Sequence, residues 1–257
     1  MPTGDSLFDL RGETALVTGA GRGIGLAIAR GLGAHGARIV IAELDDRRGG
    51  AAREALREAG IETELARTDV TDPASVERAF GVATERFGGV DVLVNNAGMS
   101  QRTPAEAYRD EDLDRMIDLN LKGVFRCMRA AARRWIDAGR GGRIVNLASF
   151  AGVVADPLSA PYAATKGGVV QLTRTCAVEW ASHGIRVNAI GPGYTRTAMT
   201  RPALDDPETH AAILARTPLG RVAEPEDLVG AAVFLASRAS DFVTGHLLLV
   251  DGGWTAI

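Results

Sequence analysis

The sequence has 257 residues, 46% of them hydrophobic and 24% charged, with a formal net charge of −3. That is enough chain to bury a sizeable core, and its charge gives no electrostatic reason to expect a nucleic-acid or membrane partner. Two distant cysteines, Cys127 and Cys176, and four scattered histidines form no C-x-x-C or Cys/His grouping, so neither a disulfide framework nor a metal site is expected and the chain reads as cytoplasmic. The opening "MPTGDSLFDLRGE" lacks the basic start and apolar run of a signal peptide, and no stretch reaches the ~18 apolar residues of a membrane span.

Short apolar runs then alternate with helical patterns. "TALVTG" predicts a buried strand and "GLAIARGLGAHG" a helix; "ARIVIAE" predicts a second strand, followed by the charged helix "DDRRGGAAREALREAG". "ETELARTDV" reads as a half-polar third strand, and "DPASVERAFGVATERFG" opens with an Asp-Pro helix start. "VDVLVNNAG" is the fourth strand and "DEDLDRMIDLNLKGVFRCMRAAARRWIDAG" one long helix. "GRIVNLAS", the helix "APYAATKGGVVQLTRTCAVEWASHG", "IRVNAIGPG", the helix "EPEDLVGAAVFLAS" and "GHLLLVDGG" complete the series. This β-α alternation predicts one α/β domain over 1–257, a doubly wound parallel sheet of about seven strands with helices on both faces, because parallel strands need crossover connections.

Two glycine stretches compete for the role of phosphate loop. "GLGAHG" at 31–36 matches G-x-G-x-x-G literally, but it lies at the far end of the first helix, where carbonyls are exposed, and its glycines read as a helix cap and turn. "TGAGRGIG" at 18–25 lies where the strand ends and the helix begins, where free N–H groups and the helix dipole favour an anion. Gly19, Gly23 and Gly25 there permit close approach of a diphosphate. Glu43 ends the second strand, where a carboxylate accepts hydrogen bonds from an adenosine ribose and repels a 2′-phosphate. With Asp45 and Asp46 following, this favours NAD; Arg22, Arg47 and Arg48 leave NADP open.

"PYAATK" sets Tyr162 and Lys166 four residues apart on one helical face. A free phenol, with a pKa near ~10, is a poor base at neutral pH, and a neighbouring ammonium lowers it. Ser149 ends the preceding strand on the same edge of the sheet, positioned to hold a substrate oxygen beside Tyr162. Asn120 lies inside the long helix, where an asparagine needs a partner.

"TGAGRGIG", "NNAG" at 95–98, Asn120, Ser149, "YAATK" and "PG" at 192–193 occur in the order and spacing of the short-chain dehydrogenase/reductase family, which the chain resembles over nearly its whole length. The resemblance implies a Rossmann fold and hydride transfer between a nicotinamide and a carbonyl/alcohol pair. It makes Tyr162 the acid/base, Lys166 the residue that tunes it and binds the nicotinamide ribose, Ser149 the substrate-orienting hydroxyl and Asn120 the anchor of a water in a proton relay. It places Gly19, Arg22, Gly23, Ile24 and Gly25 along the diphosphate and Asp69 and Val70 at the adenine. Asn96, Ala97 and Gly98 fall on the adenosine side, and Pro192, Gly193, Thr195 and Thr197 at the carboxamide.

Residues 195–222 correspond to the family's mobile substrate lid. Met199, Leu204 and Ile213 supply apolar contacts there, while Arg196, Arg201 and Asp205 are placed to face a polar ligand; Gln101, Arg102, Asp156 and Tyr194 are further candidates around the pocket. The opening and closing stretches look most like the gluconate 5-dehydrogenase and polyol dehydrogenase branch, which implies a sugar alcohol, sugar acid or similar secondary alcohol as substrate. The alternatives are an NADPH-dependent 3-oxoacyl thioester reductase and a non-catalytic nucleotide sensor on the same fold. The resemblance also implies a homo-oligomer, a tetramer in many relatives, with a small-molecule substrate.

Overall fold

The computed structural model describes residues 7–257; the first six residues, part of the opening read above for a signal peptide, lie outside the described residues. β1 (Thr14–Thr18), β2 (Arg38–Glu43) and β3 (Thr63–Arg67) alternate with α1 (Gly23–Ala34), α2 (Asp46–Glu58) and α3 (Pro73–Phe87). β4 (Val92–Asn95) leads to α4 (Asp110–Ile117) and α5 (Val124–Asp137), then β5 (Gly142–Leu147), α6 (Ala160–Trp180) and β6 (Ile185–Pro192). The remaining elements are α7 (Arg201–Leu204), α8 (Pro207–Arg216), α9 (Val229–Ala236) and β7 (Leu247–Val250). All seven strands form one parallel sheet in the order β3-β2-β1-β4-β5-β6-β7. The order reverses between β1 and β4, and an open α/β sheet presents its binding crevice at the carboxyl ends of strands beside such a reversal.

Period-2 alternation divides the strand side chains between two cores. Leu16, Val40, Leu93 and Ile144 face α3, α5 and α6, whereas Val17, Ile39, Ile41 and Val145 face α1, α2 and α9. Trp135 fills the first layer and donates from Nε1 to the Val90 carbonyl at 2.6 Å. A third cluster, Phe150, Ala151, Leu204, Ile213, Val222 and Trp254, lies beyond the strand ends and joins segment 195–222 to the body.

Three local readings change. Of the glycines of "GLGAHG", only Gly36 (φ +98) makes the turn. Gly31 and Gly33 lie inside α1, where a Cβ would collide with Val229 and Ile61 respectively. Their absent side chains make room for Val229 of α9 and for Ile61 in the connection before β3. The long helix after β4 is interrupted by a π-helical turn over Asp118–Gly123, which buries Asn120 completely. Finally, segment 195–222 is partly helical, and its Leu204 and Ile213 face the aromatic cluster.

Candidate active site

β1 runs through Thr18 into the glycine loop, and α1 starts at Gly23. Arg22, at the N-cap, is extended and supplies no side-chain acceptor, and no acidic residue occupies the first turn. The first N–H groups of α1 therefore have no partner within the helix and face a ligand position with the positive end of the dipole. At Gly23 (φ +56) an added Cβ would stand in the cleft itself, its nearest neighbour Thr197 Cγ2 at 3.7 Å. This open cradle fits the diphosphate of a dinucleotide.

The cradle lies in a cavity of about 660 Å³ that extends to Glu43, Asp69 and Val70. A smaller cavity of about 110 Å³ holds Ser149, Tyr162 and Lys166 together with Pro192, Gly193 and Thr195. Ile24, Asn96, Gly98, Met99, Thr197 and Met199 line both, so the two are ends of one cleft. Ala97 lines the wide end. Gly25 lies behind the loop, buried against Asn96.

Second-strand and loop polarity is largely satisfied by the protein. Glu43 is buried; its Oε1 accepts from the Leu44 and Asp45 N–H groups at 3.0 and 3.2 Å, and its Oε2 from Gly21 N–H at 3.1 Å. A Cβ at Gly21 would meet Oε2 at 2.6 Å, so this glycine, missed in the sequence although it completes the alternate-glycine pattern, exists to seat the carboxylate. Arg48 approaches Glu43 at 3.5 Å and Asp45 at 3.3 Å, and Arg67 lies 3.3 Å from Asp46. The negative potential expected from Glu43, Asp45 and Asp46 is thus offset by arginines.

At the narrow end, Ser149 is 5% exposed, and its Oγ accepts from Ala151 N–H at 3.1 Å. Burial pushes the Tyr162 phenol up to about 12, opposed by a hydrogen bond with Ser149 and reinforced by Asp156 and Tyr194. Burial also brings the Lys166 ammonium down to about 8. Lys166 Nζ donates to the Leu147 carbonyl at 2.6 Å and lies 5.7 Å from the Tyr162 ring centroid. Desolvation dominates both groups, so the phenol, expected to be lowered by this ammonium, is raised instead.

Asn120 spans the cleft's wall. Its Oδ1 accepts from Met99 N–H at 2.9 Å, and its Nδ2 donates to the Met99 carbonyl at 2.8 Å and Thr165 Oγ1 at 3.3 Å. Both Nδ2 hydrogens are committed within the protein. Thr165 Oγ1 in turn donates to the Tyr162 carbonyl at 2.7 Å, which ties the π-turn to the start of α6. Asn96 Nδ2 donates to the Thr18 and Gly19 carbonyls, each at 3.0 Å, so its amide glues the glycine loop to the end of β4.

Beyond Ser149 and Tyr162, Arg102 Nη1 donates to Asp156 Oδ2 and to Tyr194 Oη, both at 3.2 Å, and Tyr194 Oη donates to Asp156 Oδ1 at 3.0 Å. Tyr194 packs at 5.2–5.3 Å ring separation on Phe150 and Trp254. Gln101 Nε2 is held by Thr103 and Asp112, Arg196 by Glu224 at 3.0 Å, and Asp205 is exposed. Among the described residues no group of three His, Cys, Asp or Glu side chains could hold a metal, and no helix is long and apolar enough to cross a membrane.

A family model described as enoyl-(acyl carrier protein) reductase matches residues 19–255. The chain is 43% identical to the gluconate 5-dehydrogenase of Gluconobacter oxydans (strain 621H) over 97% of each chain. It is also 43% identical to the 3beta-hydroxysteroid dehydrogenase 1 of Eggerthella lenta, over 96% of this chain and 95% of that one. A solved gluconate 5-dehydrogenase from Burkholderia cenocepacia J2315, in complex with NADP and tartrate, superposes with a TM-score of 0.95 at 42% identity, covering 99% of this chain and 100% of that one. End-to-end matches at this identity, on a sheet with this strand order, establish that the chain belongs to the short-chain dehydrogenase/reductase family.

Proposed function

We propose that the protein is a nicotinamide-dinucleotide-dependent dehydrogenase that interconverts a secondary alcohol and a ketone on a polar small molecule, foremost a sugar acid or sugar alcohol. The observation that carries this reading is the gathering of Ser149, Tyr162 and Lys166 at one end of a cleft whose other end is the glycine cradle. A non-catalytic sensor would have no need of that end. The N–H groups opening α1, with Gly19, Arg22, Gly23 and Ile24, hold the diphosphate; Asp69, Val70, Asn96, Ala97 and Gly98 flank the adenosine; Pro192, Gly193, Thr195 and Thr197 line the carboxamide position. Bound there, the nicotinamide supplies hydride transfer, and the chain supplies orientation and the proton.

Ser149 Oγ orients the substrate oxygen toward Tyr162. The Tyr162 hydroxyl gives its proton to a ketone oxygen during reduction and takes it from the alcohol during oxidation. Lys166 binds the nicotinamide ribose and places a positive charge behind the phenol. Asn120 holds Met99 and, through Thr165, the start of α6, which fixes both walls.

A phenol pushed up to about 12 is an acid throughout the neutral range. Alcohol oxidation, which needs the phenolate, is expected to gain roughly tenfold per pH unit through the neutral range and to level off as Lys166, brought down to about 8, loses its charge. Ketone reduction is expected to stay level over the same range. Parallel kcat/KM profiles in the two directions check this, and a flat oxidative limb would remove Tyr162 as the base.

Two relatives equal in identity, one named for gluconate and one for a hydroxysteroid, show that identity alone does not select the substrate. The polar set Arg102, Asp156 and Tyr194 beside the catalytic end suits a polyhydroxylated ligand better than a steroid. Residues 195–222 form the lid over it, with Met199 at the cleft and Leu204 and Ile213 anchoring the lid below. A panel of polyols, sugar acids, simple secondary alcohols and 3-hydroxyacyl thioesters, offered with NAD and with NADP, tests the reading. Turnover of a sugar acid or polyol supports it; activity confined to the thioester with NADPH would replace it with the thioester reductase.

Both cofactor forms are accepted on this reading. Glu43 faces the adenosine end already compensated by three N–H groups and Arg48, so it repels a 2′-phosphate less than a free carboxylate would. Arg48→Ala is expected to cut kcat/KM with NADP about tenfold while leaving NAD within about twofold; equal losses with both forms would remove Arg48 from the 2′-phosphate position.

The chain is proposed to act in the cytoplasm as a homotetramer. The free, buried thiols of Cys127 and Cys176 suit a reducing compartment. Val178 on α6 and Phe242, in a loop packed on α6 at Gly245, are exposed apolar groups suited to contact a second copy. Sedimentation equilibrium tests the assembly.

A further inference from the structure

The wide end of the cleft holds more arginines than the functions above use. Arg22, Arg48, Arg115 and Arg201 line it against two carboxylates, Glu43 and Asp69. It is therefore a locally positive basin in a chain of net charge −3. Arg48 is committed to Glu43 and Asp45. Arg22, Arg115 and Arg201 take part in none of the ion pairs among the described residues, although Arg196 and Arg221 of the lid segment each hold a carboxylate. These three side chains come from separate elements: Arg22 from the glycine loop, Arg115 from the last turn of α4, and Arg201 from the start of α7. All three are exposed at the cleft's rim.

Arg201 differs from the other two in what its element touches. At the opposite end of the single turn of α7, Leu204 is 6% exposed and packs in the cluster of Phe150, Ile213 and Trp254, against which Tyr162 and Tyr194 also rest. One helical turn thus connects the positive basin to the apolar floor beside the proposed acid/base.

We propose that Arg201 is the lid's cofactor-binding residue: its guanidinium joins those of Arg22 and Arg115 on the dinucleotide's diphosphate and so ties α7, already packed through Leu204 on the aromatic cluster, to the bound cofactor. This rests on the dinucleotide reading above. The planar guanidinium suits paired phosphate oxygens, and the mutual repulsion of three cations is offset only when the doubly charged linker lies between them. Because the groups are exposed, ions in solution screen their attraction within about 8 Å at physiological ionic strength. The contact couples the lid's position, through Leu204, to the bound cofactor.

The test titrates the full chain with NADPH, following nicotinamide fluorescence, for the wild type, Arg201→Met and Arg201→Lys at low and physiological ionic strength. Arg201→Met keeps the apolar stem and removes the charge. It is expected to weaken NADPH by about fivefold to tenfold at low salt, with a smaller loss at physiological salt, and to raise the KM for the alcohol. Arg201→Lys, which restores the charge without the fork, is expected to recover part of the affinity. The thermal midpoint of the protein alone should not move, because the side chain is exposed, so a merely structural role would not give this pattern. A wild type that binds no dinucleotide overturns the dehydrogenase reading and this inference with it. A wild type that binds NADPH beside an Arg201→Met variant that binds it equally well overturns this inference alone.

Discussion

Tyr162→Phe is expected to lower turnover by ~10²–10⁴-fold, the usual worth of a positioned proton donor, while dinucleotide affinity stays within about twofold. The substitution removes one oxygen and leaves the ring in its place against the Phe150–Trp254 cluster. No neighbouring group is placed to take over. Lys166 Nζ is turned to the Leu147 carbonyl at 2.6 Å, and an unaided serine hydroxyl at Ser149 is too weak an acid. The loss should appear in kcat and in kcat/KM alike, because the proton moves only as the carbonyl and alcohol interconvert. Steady-state assays in both directions, with a parallel nicotinamide-fluorescence titration, check it; a variant that turns over at the wild-type rate would place the proton transfer elsewhere.

The chain-order reading foresaw this grouping because each of its parts falls at a strand end or a helix start. Ser149 follows β5, Tyr162 and Lys166 open α6, and the glycine loop follows β1; in a parallel sheet all such junctions emerge on one edge. What the sequence could not convey was environment. The spacing of Tyr162 and Lys166 suggested an ammonium that lowers a phenol, but burial of both groups raises the one and lowers the other. Similarly, Glu43 at the end of β2, followed by Asp45 and Asp46, suggested a negative adenosine end. Glu43 is instead a strut between Gly21 and the start of α2, and Asp45 caps that helix through Arg48 N–H at 2.9 Å. A sequence lists charges but not the N–H groups that meet them.

The strands were legible to within a few residues, since buried parallel strands are continuous apolar runs bounded by glycine and proline. The departures occur where a tertiary contact overrides a local pattern. Gly31 and Gly33 resemble a phosphate loop only as letters; their positions are dictated by Val229 of α9 and by Ile61 in the connection before β3. The π-turn at Asp118–Gly123 has no periodic signature, because the long helix keeps its apolar stripe on both sides of it. Its one local clue is an asparagine in mid-helix, which a buried partner had to explain, and Met99 is that partner. Arg115 carried no signal, as an exposed arginine on an amphipathic segment is ordinary, and Arg201 was marked only as a lid residue facing a polar ligand.

Gly25→Ala is expected to damage the cleft more than any other single methyl group added to the loop. Gly25 is buried in the first turn of α1, and a Cβ there would overlap the Gly19 carbonyl oxygen and Asn96 Nδ2. Those two atoms are themselves hydrogen-bonded at 3.0 Å, and Asn96 Nδ2 also holds the Thr18 carbonyl, while Thr18 Oγ1 receives the Asn96 and Ala97 N–H groups. The obstacle is backbone, which cannot swing aside as the tip of a flexible side chain does. Either α1 moves away from β1 or Asn96 gives up its bonds. Overpacking of this kind costs ~1–3 kcal/mol, and each buried bond lost adds about 1 kcal/mol. A total of about 3 kcal/mol corresponds to a fall of roughly 6–12 °C in the thermal midpoint of a chain this long. Because the N–H groups that open α1 move with the helix, dinucleotide affinity should fall by more than about tenfold. Gly81→Ala is the matched control. Gly81 lies in α3 with nothing within 4 Å of an added Cβ, and alanine there is expected to stabilise by about 0.5–1 kcal/mol. Calorimetry and a cofactor titration on both variants separate the effects. A Gly25→Ala protein that loses stability yet binds dinucleotide as the wild type does would mean that the geometry of this loop is not what holds the diphosphate.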